Sequence, residues 1–556
     1  MITPYTVGDY LLDRLAELGV DRVFGVPGDY TLGLLDHVVA HEHIEWTGCA
    51  NELNAGYAAD GYGRMRGIAA LCTTFGVGEL SAINAVTGSY AEFVPVVHVV
   101  GAPSSGAQVA QRVVHHSLGD GKFRHFLDMH AEITCARAAL SAATATAEID
   151  RVLAAVRDRR LPGYLLVPAD VAEHPMDPPA TPLPAAAVVA EPMALAEFTA
   201  AAARLLTTTD DRSAVALLGG VLVHRLGAAP AFAELVAAGP LPHASTLWGK
   251  SVVDESDATY LGIYSGAASD PRTRAAIEQA RLLVVAGVQV TDLNSGFFSQ
   301  QLPRERTVEL GAETASVGAA RFDGVPMAEA LHVLAGLVRD KAWSAAEPAP
   351  VPDVPAAAPA SGSALTQDGL AATVAAHLRP GDIVLADQET SFYGLATRRL
   401  PQGVTFLGQP LWASIGYTPP ALLGACLAEP GRRGVLVIGD GAAQMTAQEM
   451  STVVRYCLPA TVVVVDNAGY TVERAIHGPD QPYNDIDGWD WTLLPALVGP
   501  GSAAEVRTAQ TVGELAEALR RRPDGLTFVQ ARLPRMDVPP LLTQLAAAAA
   551  AANARR

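Results

Sequence analysis

The run from Val435 to Glu473 constrains the fold of this chain more than any other stretch. It opens with four apolar residues, Val435-Leu436-Val437-Ile438, then Gly439-Asp440-Gly441 and a helix-compatible segment from Ala442 to Cys457. A second apolar run, Thr461 to Val465, leads into Asp466-Asn467-Ala468-Gly469-Tyr470-Thr471-Val472-Glu473. Strand, glycine turn, helix and strand make a βαβ unit, whose parallel strands take ligands at their carboxyl ends. Asp440 falls just past the first strand and Asn467 just past the second. Two hard oxygen donors at neighbouring strand ends suit Mg2+, which completes its shell with phosphate oxygens and water. A dinucleotide-binding turn needs a third glycine where Gln444 stands, so that reading is set aside.

The rest of the chain alternates in the same way. Thr6 can cap a helix with Val7, Leu11, Leu15 and Leu18 on one face, ended by Gly19. Strands are expected at Val23 to Val26, Ile44 to Thr47, Ile68 to Thr73 and Val96 to Val100, with a helix from Glu52 to Met65. Val215 to Leu218 and Leu282 to Ala286 read as buried strands of a middle region without a nucleotide motif. Thr366 to Leu378 reads as a helix, Ile383 to Ala386 and Val404 to Leu407 as strands, and Leu541 to Ala554 as an alanine-rich helix. Two Pro/Ala-rich stretches, His174 to Pro192 and Ala345 to Pro359, read as linkers, the second extended. The fold class is therefore α/β, with three doubly wound parallel-sheet domains at 1–180, 193–344 and 362–556.

Composition excludes several classes. A length of 556 residues, half of them hydrophobic, supports large cores. A net charge of −19 argues against nucleic acid or an anionic membrane as partner, and no apolar run approaches a membrane span. Five scattered cysteines without CxxC spacing, and no signal-peptide pattern, point to a reduced, cytoplasmic setting.

A GDG followed about 25 residues later by Asn resembles the thiamine diphosphate motif. The continuation Gly469-Tyr470-Thr471-Val472-Glu473-Arg474 is similar to the 2-oxo acid decarboxylases of the pyruvate and indolepyruvate type. Four first-region features resemble the same family. They are Gly25-Val26-Pro27-Gly28-Asp29-Tyr30, Asn51-Glu52-Leu53-Asn54-Ala55, Thr73-Thr74-Phe75-Gly76-Val77-Gly78-Glu79 and His115-His116-Ser117-Leu118-Gly119-Asp120-Gly121. Each alone is weak, and Gly119-Asp120-Gly121 is a decoy because no apolar strand precedes it. Their joint order carries the resemblance over essentially the whole chain, with pyrimidine-binding, middle and diphosphate-binding domains in sequence.

The resemblance implies thiamine diphosphate and Mg2+ as cofactors and non-oxidative conversion of a 2-oxo acid to an aldehyde and CO2. The metal would be held by Asp440, Asn467 and the Gly469 carbonyl. The cofactor would also meet Thr74, Gly76, Thr390, Gly439, Gly441, Ala442, Tyr470 and Thr471. In Trp412-Ala413-Ser414-Ile415-Gly416-Tyr417, Ile415 matches the residue that bends the cofactor, Ser414 adjoins it, and the Ala413 carbonyl would accept from the 4′ amino group. Glu52 matches the carboxyl beside N1′ and is expected in a mostly apolar pocket. Asp29, His115, His116 and Glu473 match the acid–base set. Glu473 is assigned to decarboxylation, Asp29 with His116 to protonation and release, and His115 to orientation of its neighbours. Active sites would form between subunits of a homodimer or homotetramer.

Gln388, Phe392, Tyr393, Val472, Leu545 and Ala549 match pocket positions. Gln388, the small Val472 and Ala549 favour aromatic or branched substrates (indolepyruvate, phenylpyruvate, 2-oxoisovalerate) over pyruvate, and Phe392 with Tyr393 would form an aromatic wall. Glu389 replaces a glycine usual in that loop; a positive φ there would strain it, and its charge would lie near the substrate channel. No cysteine lies between Cys135 and Cys426, so simple saturation kinetics are expected. A carboligase of the acetolactate synthase type, a pyruvate-preferring decarboxylase and an inactive scaffold are the alternatives.

Overall fold

The computed structural model describes residues 4–184, 189–343, 360–520 and 525–554. The second linker therefore falls outside the described residues, apart from the chain that follows it.

Three sheets organise the chain. The first contains β1 (Arg22–Gly25), β2 (Glu45–Gly48), β3 (Ala69–Thr74), β4 (Val96–Ala102), β5 (Ala136–Ala139) and β6 (Gly163–Pro168), all parallel, in the order β2-β1-β3-β4-β6-β5. The middle sheet holds β7 (Val215–Gly219), β8 (His243–Thr246), β9 (Tyr260–Tyr264), β10 (Leu282–Ala286) and β11 (Thr307–Leu310), parallel, with an antiparallel edge of β12 (Thr314–Val317) and β13 (Ala320–Asp323). The third contains β14 (Ile383–Ala386), β15 (Thr405–Leu407), β16 (Gly434–Gly439), β17 (Ala460–Asp466), β18 (Glu505–Ala509) and β19 (Leu526–Arg532), in the order β15-β14-β16-β17-β19-β18. The first and third sheets thus share one strand order. In each, the direction of winding reverses beside the first strand, between β1 and β3 and between β14 and β16. Such switch points leave a crevice beyond the strand ends, where ligands of open α/β sheets bind.

The continuous apolar runs have a direct cause: both faces of these strands are covered. On β16, Val435 and Val437 enter a core shared with the middle domain. Leu436 and Ile438 enter another shared with the first domain. That second core contains the crossing of helices Glu52–Arg66 and Thr418–Ala428. The crossing is close enough that a Cβ on Gly424 would collide with the carbonyl oxygen of Ala58, and one on Gly61 with that of Ala421.

The helix expected from Ala442 to Cys457 is not continuous. Gly439 ends β16 and caps a helix that already begins at Asp440 and ends at Thr446. A 3-10 turn, Ala447–Glu449, precedes a second short helix, Met450–Arg455. At the break the Thr446 hydroxyl donates to the Gly416 carbonyl at 2.6 Å, and buried Glu449 accepts from the Ala50 amide at 3.1 Å. Tertiary contacts at both residues replace helical continuity. Among the described residues no helix is long and apolar enough to cross a membrane.

Candidate active site

The crevice of the third sheet is built around Asp440. Its side chain is buried, and its two oxygens accept from the amides of Gly441 at 2.8 Å, Asn467 at 3.2 Å and Gly469 at 3.3 Å. Withdrawal from water raises the Asp440 carboxyl above its ordinary range, and the surrounding amides oppose that rise. Asn467 donates through Nδ2 to the Thr471 hydroxyl at 3.0 Å, which leaves its amide oxygen outside that bond. The loop between them bends through two left-handed residues, Ala468 at φ +57° and Gly469 at φ +118°. A Cβ on Gly469 would collide with the Asn484 carbonyl, so only glycine fits. The Tyr470 ring closes over Gly441, 2.6 Å from where a Cβ would stand, and Ala442 is buried beside them. Arg474 locks this loop from beneath: its buried guanidinium donates to the carbonyls of Ala468 at 2.5 Å and Asn484 at 3.0 Å and pairs with Asp485 at 2.9 Å.

The segment Leu411 to Gly416 runs between the first and third domains. Glu92 of the first domain accepts from the Leu411 and Trp412 amides at 2.8 and 3.3 Å. Ala413 takes φ +58°, an uncommon conformation for a residue with a Cβ, and donates its amide to the Gln409 carbonyl at 2.8 Å. The Ser414 hydroxyl bonds Tyr57 at 2.5 Å, and half-buried Ile415 packs on the first–third core. Buried Asp387 accepts from the Gly416 amide at 3.1 Å and the Thr418 hydroxyl at 2.7 Å, fixing the end of the segment.

The pocket-matching residues gather around three helices. Helix Pro540–Ala554, which carries buried Leu545 and Ala549, packs against helices Thr390–Ala396 and Thr471–His477. Val472 is half-buried there, and Glu473 is exposed in the first turn of its helix. Gln388 donates to the Tyr393 hydroxyl at 3.1 Å, while its Oε1 is buried without a partner. The expected aromatic wall is only half realised. Phe392 and Tyr393 do pack edge to face, with centroids 5.8 Å apart, but Phe392 is turned into the domain core against Phe406 and Gly408.

The first-domain crevice carries the titratable groups. His115 Nε2 lies 2.7 Å from Asp29, and the Tyr30 ring stacks on His115 with centroids 4.9 Å apart. His116 adopts φ +63° and packs edge-on against His115. Side-chain ligand atoms of Asp29, His115 and His116 all fall within 4.8 Å of one another. Behind His116 lies Gly76, at φ +65°, whose amide donates to buried Glu79 at 2.8 Å. Glu79 also accepts from the Tyr164 hydroxyl at 2.6 Å, and burial pushes its carboxyl up to about 7. The Thr74 hydroxyl beside this turn is buried without a partner. Glu52 opens its helix after the cap residue Asn51 and turns toward Gly78, 3.2 Å from where a Cβ there would stand. In the single chain Glu52 is half-buried rather than enclosed in an apolar pocket. Asp120 is engaged by His125 and the Lys122 amide, an exposed turn consistent with its reading as a decoy.

Sequence reasoning missed four supports: Asp387, Glu92, Glu449 and Arg474. Asp387, Glu92 and Glu449 reach partners distant in sequence, so no local motif announces their roles, whereas Arg474 stands in the quoted Gly469–Arg474 motif and only its bonding to Ala468, Asn484 and Asp485 went unread. Among the described residues, no hydrogen bond, ion pair or ring contact joins Asp29, His115 or His116 to Asp440 or Glu473.

The donor chemistry of the third-domain crevice suits a hard divalent cation with a diphosphate: a carboxylate, an amide oxygen and a backbone carbonyl at adjacent strand ends. The unpartnered Thr74 hydroxyl suits a polar group entering the other crevice. One residue departs from this fit. Glu389 has φ −154°, so the feared left-handed strain is absent. Its carboxylate points at the amide of Gly439 and bonds it, instead of projecting toward a substrate channel.

Comparison with known proteins matches these features. Residues 5–121 fit the thiamine pyrophosphate enzyme N-terminal TPP binding domain, 199–335 the central domain and 391–530 the C-terminal TPP binding domain. The chain is 54% identical over 546 residues to an alpha-keto-acid decarboxylase of Mycolicibacterium paratuberculosis, covering 97% of this chain and 96% of that protein. It is equally similar, over 545 residues and the same shares, to alpha-keto-acid decarboxylases of Mycobacterium avium and Mycobacterium tuberculosis. With two crevices of one topology, one lined by acid–base groups and the other by hard oxygen donors, the chain belongs to the thiamine diphosphate-dependent 2-oxo acid decarboxylases, which are carboxy-lyases.

Proposed function

We propose that this protein converts a 2-oxo acid to an aldehyde and CO2 without oxidation, using Mg2+ beside thiamine diphosphate and favouring aromatic or branched side chains over pyruvate. The observation that carries the proposal is the convergence of Asp29, His115 and His116 within 4.8 Å. Such a cluster can deliver a proton to a reacting carbon and take one from a hydroxyl, and it lies away from the metal ligands. When bound, the cofactor supplies a nucleophilic carbon and an electron sink.

The residues then divide the work. Asp440, Asn467 and the Gly469 carbonyl hold the metal, with Gly439, Gly441, Ala442, Thr390, Tyr470 and Thr471 around the diphosphate. Ala413, Ser414 and Ile415 set the bend of the cofactor, supported by the bonds from Asp387 and Glu92. Glu52 holds a proton at N1′, with Thr74 and Gly76 nearby. Glu473 assists loss of CO2, Asp29 and His116 move protons for aldehyde release, and His115 orients Asp29 through their 2.7 Å contact. The working form is a homodimer or homotetramer in the cytoplasm, with the first-domain crevice of one subunit facing the third-domain crevice of another.

Substrate preference rests on Gln388, Tyr393, Val472, Leu545 and Ala549. The unpartnered Gln388 Oε1 would accept from a donor such as an indole N–H, and small Ala549 leaves room for a large side chain. A pocket contact changes discrimination by only about 1–3 kcal/mol per methylene, so specificity is broad. The test is kcat/KM for pyruvate, 2-oxoisovalerate, phenylpyruvate and indolepyruvate. The three larger acids should exceed pyruvate; highest efficiency on pyruvate overturns the pocket reading, and acetolactate as the main product overturns the reaction. Glu52→Gln should lose most turnover while cofactor and Mg2+ still bind.

A further inference from the structure

Glu389 stands at the switch point of the third sheet. It follows β14, and its carboxylate reaches across the crevice to the amide of Gly439 at the end of β16. A Cβ on Gly439 would collide with that carboxylate, so the backbone surface facing the crevice is already covered. The Ser391 hydroxyl donates to the same carboxylate at 3.2 Å. Asp387 lies two residues before it and Asp440 directly follows Gly439, which gathers three carboxylates around one crevice. Withdrawal from water, with the charges of Asp387 and Asp440, drives the Glu389 carboxyl well above its ordinary range.

An amide at a parallel strand end is the kind of donor that an incoming phosphate oxygen uses. Here it is occupied by a tethered carboxyl group. We propose that Glu389 is a resident occupant of the diphosphate cradle, so that thiamine diphosphate binds only by displacing its carboxylate. The inference rests on reading the Asp440 crevice as the diphosphate site. Its consequence is a protein that holds cofactor loosely and loses it readily on dilution. Giving up such a hydrogen bond before binding weakens affinity by about 2- to 10-fold.

Equilibrium binding of thiamine diphosphate with Mg2+, measured by titration calorimetry on the full chain, tests this without reference to turnover. Glu389→Gly should lower Kd several-fold, and glycine is well tolerated at a helix cap. Glu389→Gln, which keeps the size and offers an amide NH2 that can donate to a phosphate oxygen, should also bind more tightly than wild type and guards against misfolding of the glycine variant. Equal Kd for all three proteins, or weaker binding by folded Glu389→Gln, overturns the proposal and shows instead an idle or a favourable contact with the diphosphate. Absence of binding by all three folded proteins overturns the crevice assignment itself, and the proposal with it.

Discussion

Gly76→Ala probes how the acid–base cluster is held. Gly76 takes φ +65° at the start of helix Val77–Ala91. An added Cβ would overlap the His116 carbonyl oxygen, falling about 1 Å inside the 3.0 Å that real Cβ contacts keep, and would stand 3.2 Å from the Phe126 ring. The obstacle is backbone, so a flexible side chain cannot swing away. His116 must retreat by about that ångström, or the Gly76 turn must open and stretch its bond to Glu79. With φ +65° and ψ −91°, outside the left-handed helical region, the backbone costs alanine a further ~1–3 kcal/mol. A displacement near 1 Å of a positioned group lowers turnover roughly 10²-fold. The expected variant is folded, melts a few degrees lower, and at saturating cofactor releases aldehyde about 10²-fold more slowly in a reductase-coupled assay. Gly67→Ala is the control. It has φ +91° with ψ −15° and meets only the Arg160 guanidinium at 3.5 Å, so it carries a positive-φ penalty, smaller than that at Gly76, without touching the cluster. A folded Gly76→Ala protein with kcat close to that of Gly67→Ala would refute the claim that this contact sets His116.

Two further outcomes follow from the buried supports. The rise of Glu79 from 4.5 to about 7 means that the folded form holds its proton more tightly than the unfolded chain does, so this contribution is complete below pH 4.5 and is lost as pH climbs through 7, at most about 3 kcal/mol. The unfolding free energy of wild type minus that of Glu79→Gln should fall by up to that amount over this window. His98, held neutral by burial, trends oppositely in both proteins, and His130, 4.0 Å from Glu79, is held neutral by burial as well; a difference independent of pH would contradict the assignment. Arg474→Met should raise the Mg2+ concentration for half-maximal activity about 10- to 100-fold, the usual penalty for removing a group that orients metal ligands. An unchanged Mg2+ titration would show that the Ala468–Gly469 loop holds its shape without the guanidinium.

The strands were legible because both their faces are buried, which turns Val435 to Ile438 and Thr461 to Val465 into unbroken apolar runs. Asp440 and Asn467 were legible because a strand end fixes where a polar residue can emerge. The break after Thr446 was not, because it is set by a contact between Glu449 and Ala50, 399 positions away. Phe392 could be read as pocket or core from its neighbours in sequence, and only the packing of Phe406 and Gly408 decides for core. Left-handed geometry at His116, Ala413 and Ala468 carries no residue signature, since none is glycine. Conversely, the glycine-to-Glu389 change suggested backbone strain, whereas the backbone is extended and the consequence falls on the neighbouring strand end.

Three of the ten positive-φ non-glycine residues among those described, His116, Ala413 and Ala468, share a logic. Each such residue costs energy that the surrounding structure must offset, and each lies in a segment assigned to catalysis or cofactor contact. Each is also held by a named support: His116 against Gly76, Ala413 by its bond to Gln409, and Ala468 by Arg474. Ala413 belongs to a segment braced further by Glu92 of the first domain and by Asp387 at its far end. The polar groups meant to act stay in water, with Asp29 about half exposed at 49% and His115 at 57% in the single chain. Rigid backbone and exposed acid–base groups are what the proposed subunit-interface site would require: loops set before a second subunit arrives, and charges that lose their water only when a facing crevice closes over them.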